Sequence, residues 1–156
     1  MGAGVEIASC CDIRLASSNA RFGAPIAKLG FPMAPREAAL VAREVGLMTA
    51  RQMLLEATLF TAREMQARGF ISRVLEPVTL NAEVMATAQR IVRLAPLAAR
   101  ANKQVIREII TLSESMVKKN LLFFLELDAN NAYAYAQGSE HREGIEAFLE
   151  KRKPCF

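Results

Sequence analysis

The pattern of residues changes at Pro77, and this change limits the folds that the chain can adopt. Before Pro77, short stretches alternate polar and apolar residues, as strands do, and short helical stretches separate them. After Pro77, the apolar residues recur only at helical spacing. The sequence therefore predicts an α/β protein in two parts, residues 1–76, which mix strands and helices, and residues 77–156, which are helical.

Spacing and turn chemistry predict the short elements of the first part. Gly2–Cys10 is predicted as a brief helix, and residues 12–16, 20–23 and 70–75 are predicted as strands. Residues 35–45 begin with Pro and are followed by Gly, and both residues suit the ends of a helix. We therefore expect a helix over this stretch.

Three further helix ends are predicted from capping residues. Thr49–Gln52 and Thr61–Glu64 have the spacing of capping boxes, in which side chains satisfy the free amides of a helix start. The helix that begins at Thr61 is predicted to end at Gly69, because glycine accepts the left-handed conformation of a C-cap. Ser139 is predicted to cap the last helix, with Lys151–Lys153 in its last turn, where basic residues complement the dipole.

The second part contains a helix that needs cover on several sides. Its predicted helices cover about residues 78–93, 97–110 and 112–129, and the segment Leu121–Leu127 is apolar almost all round. A helix of this kind is buried on more than one face. In a chain of 156 residues, another subunit supplies that cover most simply, so the sequence predicts an oligomer.

The charge of the chain indicates few partners by itself. The net charge is +4 and the basic residues are spread along the chain, which favours a solvated surface over attraction to a phosphate group. The two Tyr and eight Phe residues do not interleave with basic clusters, so nucleic acid is not an expected partner. No apolar run reaches the length needed to cross a membrane, and Glu6 lies where a signal peptide is basic.

The cysteines and the single histidine do not predict a disulfide framework or a metal site. Cys10 and Cys11 are adjacent and Cys155 is far from them, so we interpret all three as reduced, buried thiols of a cytoplasmic protein. His141 is the only histidine, and the chain lacks CxxC and HExxH motifs. We expect His141 on the surface or at a helix cap.

One short motif has the composition of an anion-binding turn. Gly2-Ala3-Gly4 opens the first predicted helix, and small residues there let a ligand oxygen approach free backbone amides. Those amides can hold an anion or a developing oxyanion, and Glu6, one turn further, can act as acid or base. The pattern alone fits a tight structural turn with a solvated Glu6 better than it fits a site.

Four blocks of the chain resemble the crotonase (enoyl-CoA hydratase/isomerase) superfamily. The first is Gly2-Ala3-Gly4-Val5-Glu6-Ile7-Ala8-Ser9-Cys10-Cys11-Asp12-Ile13-Arg14-Leu15-Ala16, which is similar to the family segment G-G-x-E-[IL]-A-x-x-C-D-[IL]-R-[IL]-A. The others are residues 20–30, 60–74 and 140–156, and the last contains the Arg-Glu-Gly-Ile and Ala-Phe-Leu-Glu-Lys-Arg runs of the family's terminus. The blocks follow one another in the family's order.

The resemblance implies a fold, a substrate class and a set of site residues. The implied fold is the C-terminal part of a ββα spiral followed by a helical trimerisation domain. The implied substrates are acyl-CoA thioesters, whose carbonyl is held by two backbone amides that stabilise an enolate. One of these amides maps to Ala3. The neighbouring Gly2 and Gly4 would contact the CoA substrate. The first acidic residue of the hydratases maps to Glu6. An aromatic residue and a lysine that contact CoA, often from a neighbouring subunit, map to Phe148 and Lys151.

The implied activity is hydration or double-bond isomerisation of enoyl-CoA in a cytoplasmic homotrimer or homohexamer. No cofactor is expected beyond the coenzyme A of the substrate, and neither metal nor nucleic acid nor membrane is an expected partner. Another chemistry of the family, decarboxylation or thioester hydrolysis, is a further possibility that the same turn can serve.

Two departures from the family separate the main hypothesis from its alternative. The family's N-terminal portion has no counterpart, so we expect a truncated member or an incomplete gene. Pro25 is followed by Ile26, where hydratases carry a second Glu, and Phe31–Arg36 replaces a Gly-rich run. Because hydration uses a base and an acid, the loss of one carboxylate favours proton shuttling over efficient hydration. The alternative is an inactive truncated paralogue that serves as a helical oligomerisation module.

Overall fold

A computed structural model of the protein describes residues 1–93, 99–107 and 138–154. These residues form two compact units, one with residues 1–80 and 138–154 and one with residues 81–93 and 99–107. The strands and most of the helices belong to the first unit. The division of the chain at residues 76 and 77 stays a prediction.

The first unit mixes short helices with short strands, as the sequence predicts. Its elements in chain order are α1 (Ala3–Ser9), β1 (Leu15–Ser17), β2 (Arg21–Phe22), a 3₁₀ helix (Ile26–Leu29), α2 (Pro35–Val45), α3 (Leu47–Leu55), β3 (Phe60–Thr61), α4 (Ala62–Ala67), β4 (Arg73–Leu75) and α6 (Ser139–Leu149). Helix α5 covers Pro77–Val92. In the second unit, residues 99–107 are helical. The predicted helix over residues 112–129 and the segment Leu121–Leu127 lie outside the described residues, as does Cys155.

The strands form two small sheets. Strand β1 pairs with β4 in parallel, with Leu15 opposite Arg73 and Ser17 opposite Leu75. Strand β2 pairs with β3 in the antiparallel direction. A parallel pair needs a crossover connection, and here the chain passes through α2, α3 and α4 before it returns as β4. This crossover confirms the mixed α/β class.

The core lies between these helices and sheets. Its fully buried side chains include Val41 of α2, Met53 of α3, Met65 of α4 and Phe70, with Val5 of α1 packed among them. Phe22 of β2 meets Phe70 edge to face, with ring centroids 6.0 Å apart. Because Val5 belongs to this cluster, the position of α1 is fixed by the hydrophobic core.

The predicted ends of α2 and α4 are confirmed, and at each of them a single local motif sets the end of the helix. Helix α2 covers Pro35–Val45 as predicted. Thr61 and Glu64 form a complete capping box at α4, and the hydrogen bonds that Thr61 donates lower the pKa of the Glu64 carboxyl. Gly69 follows α4 at φ +81°, and the amides of Gly69 and Phe70 return to the carbonyls of Gln66 and Met65, which is the hydrogen-bond pattern of a Schellman motif.

The predicted cap at Thr49 is wrong. Helix α3 begins at Leu47, because Gly46 at φ +82° ends α2 and caps α3 at the same residue. Thr49 is therefore the third residue of α3 and is buried. Its hydroxyl accepts a hydrogen bond from Nη1 of Arg68 at 3.2 Å, and Oε1 of Gln52 accepts another at 3.1 Å.

The predicted ends of the last helix also need correction. Gly138, and not Ser139, is the N-cap of α6. The helix ends at Leu149, so Lys151–Lys153 lie beyond it and not in its last turn. The amide of Arg152 returns to the carbonyl of Ala147, and Lys151 adopts φ +55°. The chain thus leaves the helix through Lys151, the first residue of the basic run, which adopts the left-handed conformation.

Helix α6 approaches the 3₁₀ helix so closely that only glycine fits between them. A Cβ atom on Gly144 would lie 2.2 Å from the carbonyl carbon of Leu29 and 2.3 Å from its oxygen. We expect Gly144→Ala to destabilise the protein by about 1–3 kcal/mol, because backbone atoms cannot move aside as a side chain can. Urea unfolding measures the change. Gly4→Ala is the matched control, since a Cβ atom there meets nothing within 4 Å, and equal stability of the two variants would contradict the packing.

Candidate active site

The first turn of α1 presents one free backbone amide. Gly2 adopts φ +55°, and its amide donates to the carbonyl oxygen of Gly23 at 2.9 Å. The amides of Gly4 and Val5 donate to the carbonyls of Met1 and Gly2, at 3.2 and 2.8 Å. Within the described residues, the amide of Ala3 has no hydrogen-bond acceptor, and Ala3 is exposed. This turn therefore leaves one donor available to a ligand.

Glu6 lies on the same side of α1 as this free amide. Residues three apart on a helix are surface neighbours, so Glu6 is the neighbour of Ala3. It is half-buried, and its carboxylate has no hydrogen-bond or ion-pair partner in the described part of the chain. Val5 and Ser9, on the face of α1 beside Glu6, are buried, and the Ser9 hydroxyl donates to the Val5 carbonyl at 2.8 Å. Glu6 thus lies beside the buried face of α1, and its carboxylate has no partner on that face within the described residues.

Arg14 anchors the other end of α1. Its Nε donates to the carbonyl oxygens of Ala8 and Cys11 at 2.8 and 3.1 Å, and its Nη1 donates to that of Phe70 at 3.2 Å. Its Nη2 pairs with Glu44 of α2, and its guanidinium lies 4.5 Å from the centre of the Phe70 ring. One side chain therefore joins α1, α2 and the core.

A second feature follows Gly23 in the chain. The Gly2–Gly23 hydrogen bond ties the turn to the segment that leads, two residues later, to Pro25 and Ile26. Ile26 is half-buried and begins the 3₁₀ helix. It lines an apolar cleft of about 470 Å³ together with Ala27, Gly30, Phe31, Pro32, Met33, Ala38, Leu54 and Leu55. Ala3 and Glu6 do not line this cleft.

Phe148 and Lys151 lie at the far end of α6. Phe148 is 68% exposed. Lys151 is exposed, and its side chain has no hydrogen-bond or ion-pair partner among the residues that are described. Arg152 is engaged, because Nη2 donates to Glu143 at 2.9 Å and Nε donates to Glu150 at 2.6 Å, and these bonds raise the pKa of its guanidinium. Lys151 thus remains available to an anion, and so does Lys153, which is exposed and has no side-chain partner among the described residues.

The predicted site residues therefore fall into two groups in the first unit. Gly2, Ala3, Gly4 and Glu6 share the start of α1, whereas Phe148 lies in the last turn of α6 and Lys151 lies two residues beyond its end. Their roles in binding and catalysis stay predictions. The apolar cleft is the feature that the sequence analysis missed. Its only sequence signal was the replacement of a Gly-rich run by residues that include Phe31, Pro32 and Met33.

The prediction of buried thiols is wrong for two of the three cysteines. Cys10 and Cys11 are free and exposed. Cys10 is the C-cap of α1, so both residues lie beyond the buried positions of that helix. The described residues contain no cluster of three His, Cys, Asp or Glu side chains that could hold a metal ion. In the same residues, every helix is too short or too polar to span a membrane.

Comparison with curated proteins gives relatives that match the whole chain. The 2,3-dehydroadipyl-CoA hydratase of Escherichia coli K12 is 35% identical over 159 residues, which cover 100% of this chain and 58% of the relative. The crotonyl-CoA hydratase of Syntrophomonas wolfei is 35% identical over 156 residues, covering 100% of this chain and 57% of the relative. The chain therefore spans a little over half the length of these relatives.

Solved structures with a similar fold include a hydratase/isomerase and a decarboxylase. An enoyl-CoA hydratase/isomerase from Pseudoalteromonas atlantica T6c superposes with a TM-score of 0.80 at 28% identity, over 99% of this chain and 60% of the other. A methylmalonyl-CoA decarboxylase superposes with a TM-score of 0.81 at 26% identity, over 99% of this chain and 59% of the other. These neighbours confirm the crotonase-like fold, and the trimerisation domain stays a prediction.

The sequence model of one family covers the chain from end to end. Its description is enoyl-CoA hydratase/isomerase, and the match extends over residues 1–156. The chain belongs to the enoyl-CoA hydratase/isomerase family.

Proposed function

We propose that the chain acts on enoyl-CoA thioesters, by hydration or double-bond isomerisation through an enolate. The observation that supports this function best is the free amide of Ala3, one helical turn from the unengaged carboxylate of Glu6. The E. coli and S. wolfei relatives are named as hydratases of 2,3-dehydroadipyl-CoA and crotonyl-CoA, and both names agree with a CoA thioester as substrate.

The Ala3 amide would stabilise charge that develops on the thioester oxygen. When the α-carbon loses a proton, or when water adds to the β-carbon of the enoyl group, the carbonyl oxygen becomes an enolate oxyanion. Protonation of carbon afterwards restores the carbonyl. A donor fixed in advance stabilises that charge without rearranging during the reaction. The Gly2–Gly23 hydrogen bond and the burial of Val5 hold the Ala3 amide in place.

Glu6 would move the proton. Its carboxylate is not neutralised by an ion pair within the described residues, so it can accept a proton from one carbon and return it to another. A single carboxylate suffices for double-bond migration, which uses the same group as base and then as acid. Ile26 in place of a second Glu favours this reaction over efficient hydration.

The coenzyme A part of the substrate would meet the ends of the two helices. Gly2 and Gly4 allow close approach of the thioester, Phe148 offers a ring to the nucleotide, and Lys151 offers a charge to a phosphate. No metal or separate cofactor enters this proposal. We further propose a cytoplasmic homotrimer or homohexamer, in which another subunit covers the apolar segment Leu121–Leu127.

The alternative function is that of an inactive oligomerisation module. Calorimetry with crotonyl-CoA separates the two functions, because a module without a site gives no binding heat whereas the proposed enzyme does.

The variant Ala3→Pro tests the oxyanion donor. Ala3 is the first residue of α1, where proline fits a helix and removes only the amide hydrogen. We expect kcat for isomerisation of an enoyl-CoA to fall by about 10²–10³-fold, the usual cost of removing one oxyanion donor. Ala3→Ser retains the amide and is the control. If Ala3→Pro folds and turns over like Ala3→Ser, the proposed donor is wrong.

A further inference from the structure

Two adjacent cysteines lie exposed where α1 ends. Cys10 is the C-cap of the helix and Cys11 is the next residue, and both thiols are free and exposed. Free cysteine is among the residue types that proteins bury most often. Packing of the core therefore does not account for this pair of residues, and the chemistry of their sulfur atoms becomes the property to consider.

The backbone that carries the two thiols is held in place before any ligand binds. The Cys10 amide donates to two carbonyl oxygens of the preceding turn, at 3.2 and 3.1 Å, and the Cys11 amide donates to that of Ala8 at 3.1 Å. The Cys11 carbonyl accepts from Nε of Arg14 at 3.1 Å, and Arg14 also bonds to the core residue Phe70. The two side chains can thus turn toward one ligand while the backbone stays fixed, which lowers the entropic cost of binding.

The two thiols give up little when they bind a ligand. Sγ of Cys10 has no hydrogen-bond partner within the described residues. Sγ of Cys11 donates to the carbonyl oxygen of Ile7 at 3.5 Å. A thiol is a weak donor, so the loss of this one bond opposes binding only slightly.

A disulfide between the two cysteines is not the chemistry that their spacing favours. Consecutive Cα atoms are about 3.8 Å apart, whereas cysteines joined by a disulfide usually have Cα atoms about 4.4–6.8 Å apart. A bridging ion relaxes this constraint, because two metal–sulfur bonds of about 2.3 Å let the sulfur atoms lie up to about 4.6 Å apart. Adjacent cysteines are therefore better suited to hold one ion between their sulfur atoms than to form a bond between them.

The number and the kind of donors select the ion. Thiolates are soft ligands, and they favour Cu⁺, Zn²⁺ and iron–sulfur clusters. A structural Zn²⁺ ion takes four ligands, and an iron–sulfur cluster is held by four cysteines. In the part of the chain that the structure describes, no third His, Cys, Asp or Glu side chain joins the pair in a group that could hold a metal ion. Of these centres, Cu⁺ is the one that two thiolates alone can satisfy.

We infer that Cys10 and Cys11 form a two-coordinate binding site for Cu⁺. Each thiol loses its proton as its sulfur binds. One Cu⁺ and two thiols therefore give one bis(thiolate)–copper anion and two protons, and copper remains in the +1 state throughout. Binding of Cu⁺ does not depend on the proposed function, because it needs neither the Ala3 amide nor an acyl-CoA.

Competition with the Cu⁺ chelator bathocuproine disulfonate, under anaerobic conditions, tests this site in the full chain. Since the loss of even an outer-shell partner lowers metal affinity about 10–100-fold, we expect Cys10→Ser and Cys11→Ser each to lower the affinity for Cu⁺ at least about 100-fold. Cys155→Ser is the matched control and should leave the affinity unchanged. An equal loss in Cys155→Ser, or equal affinity in all four proteins, would overturn the two-thiol site.

X-ray absorption by the Cu⁺-loaded chain provides a measurement that needs no variant. Two sulfur neighbours around copper, without nitrogen or oxygen, would support the site, and a third or fourth ligand would contradict it. Titration with Zn²⁺ alone tests the choice of ion, because two thiolates leave Zn²⁺ without half of its usual ligands. Affinity for Zn²⁺ equal to that for Cu⁺ would show that the assigned ion is wrong.

Discussion

Replacing Arg14 with Ala is expected to lower the free energy of unfolding by about 3 kcal/mol, the lower end of the range for breaking a buried ion pair. The side chains of Arg14 and Glu44 are only 13% and 19% exposed. Removing Arg14 leaves the Glu44 carboxylate without this partner and the Phe70 carbonyl without its donor, and the Ala8 carbonyl keeps only the amide of Cys11. Each loss is costly where water cannot replace the missing group. Urea unfolding followed by circular dichroism measures the change.

Arg43 offers a control that shares the same partner. Its Nε lies 3.1 Å from Oε1 of Glu44, but its side chain is 38% exposed. We expect Arg43→Ala to cost about 1 kcal/mol or less, as exposed ion pairs do. The double variant Arg14→Ala/Glu44→Ala should be more stable than the sum of the two single changes predicts, because each single change loses the Arg14–Glu44 pair and the double variant loses it only once. If Arg14→Ala costs no more than Arg43→Ala, the anchoring role of Arg14 is wrong.

The fold could be predicted from the sequence where a single residue decides a local conformation. Pro35 and Gly46 set the ends of α2, and Thr61 and Glu64 set the start of α4. Thr49 has the same spacing as Thr61, yet it lies inside α3, because Gly46 serves as the end of one helix and the start of the next. The spacing of a capping box predicts a helix start only when the residues before it are not helical. Whether they are helical depends on the element that precedes the box.

The site could be predicted only in part, for the same reason. The motif from Gly2 to Glu6 indicates a turn that can bind an anion, and the turn is present. The free amide of Ala3 depends on Gly23, which takes the hydrogen bond of Gly2 from twenty-one residues away. The exposure of Cys10 and the cleft between Met33 and Leu54 likewise depend on packing between distant segments, which periodicity does not report.

Replacing Glu6 with Gln is expected to lower kcat for isomerisation of an enoyl-CoA by about 10²–10⁴-fold, the usual contribution of a general acid–base group. Glutamine has nearly the same shape and cannot exchange a proton at neutral pH. Since Glu6 makes no hydrogen bond or ion pair within the described residues, the fold should be unaffected. Double-bond migration is followed by chromatography of the CoA esters, and hydration of crotonyl-CoA is followed by loss of its enoyl absorbance.

Glu37 is the matched control for this change. It is a half-buried acid in the first turn of α2, and it too has no partner among the described residues, so Glu37→Gln should leave both reactions unchanged. Unchanged rates in Glu6→Gln would remove Glu6 from the mechanism.

The variant Ile26→Glu tests whether the missing second carboxylate limits hydration, because it restores a carboxylate at the position where the family's hydratases carry one. If one missing acid limits hydration, Ile26→Glu should raise hydration relative to isomerisation, and it should do so only while Glu6 is present.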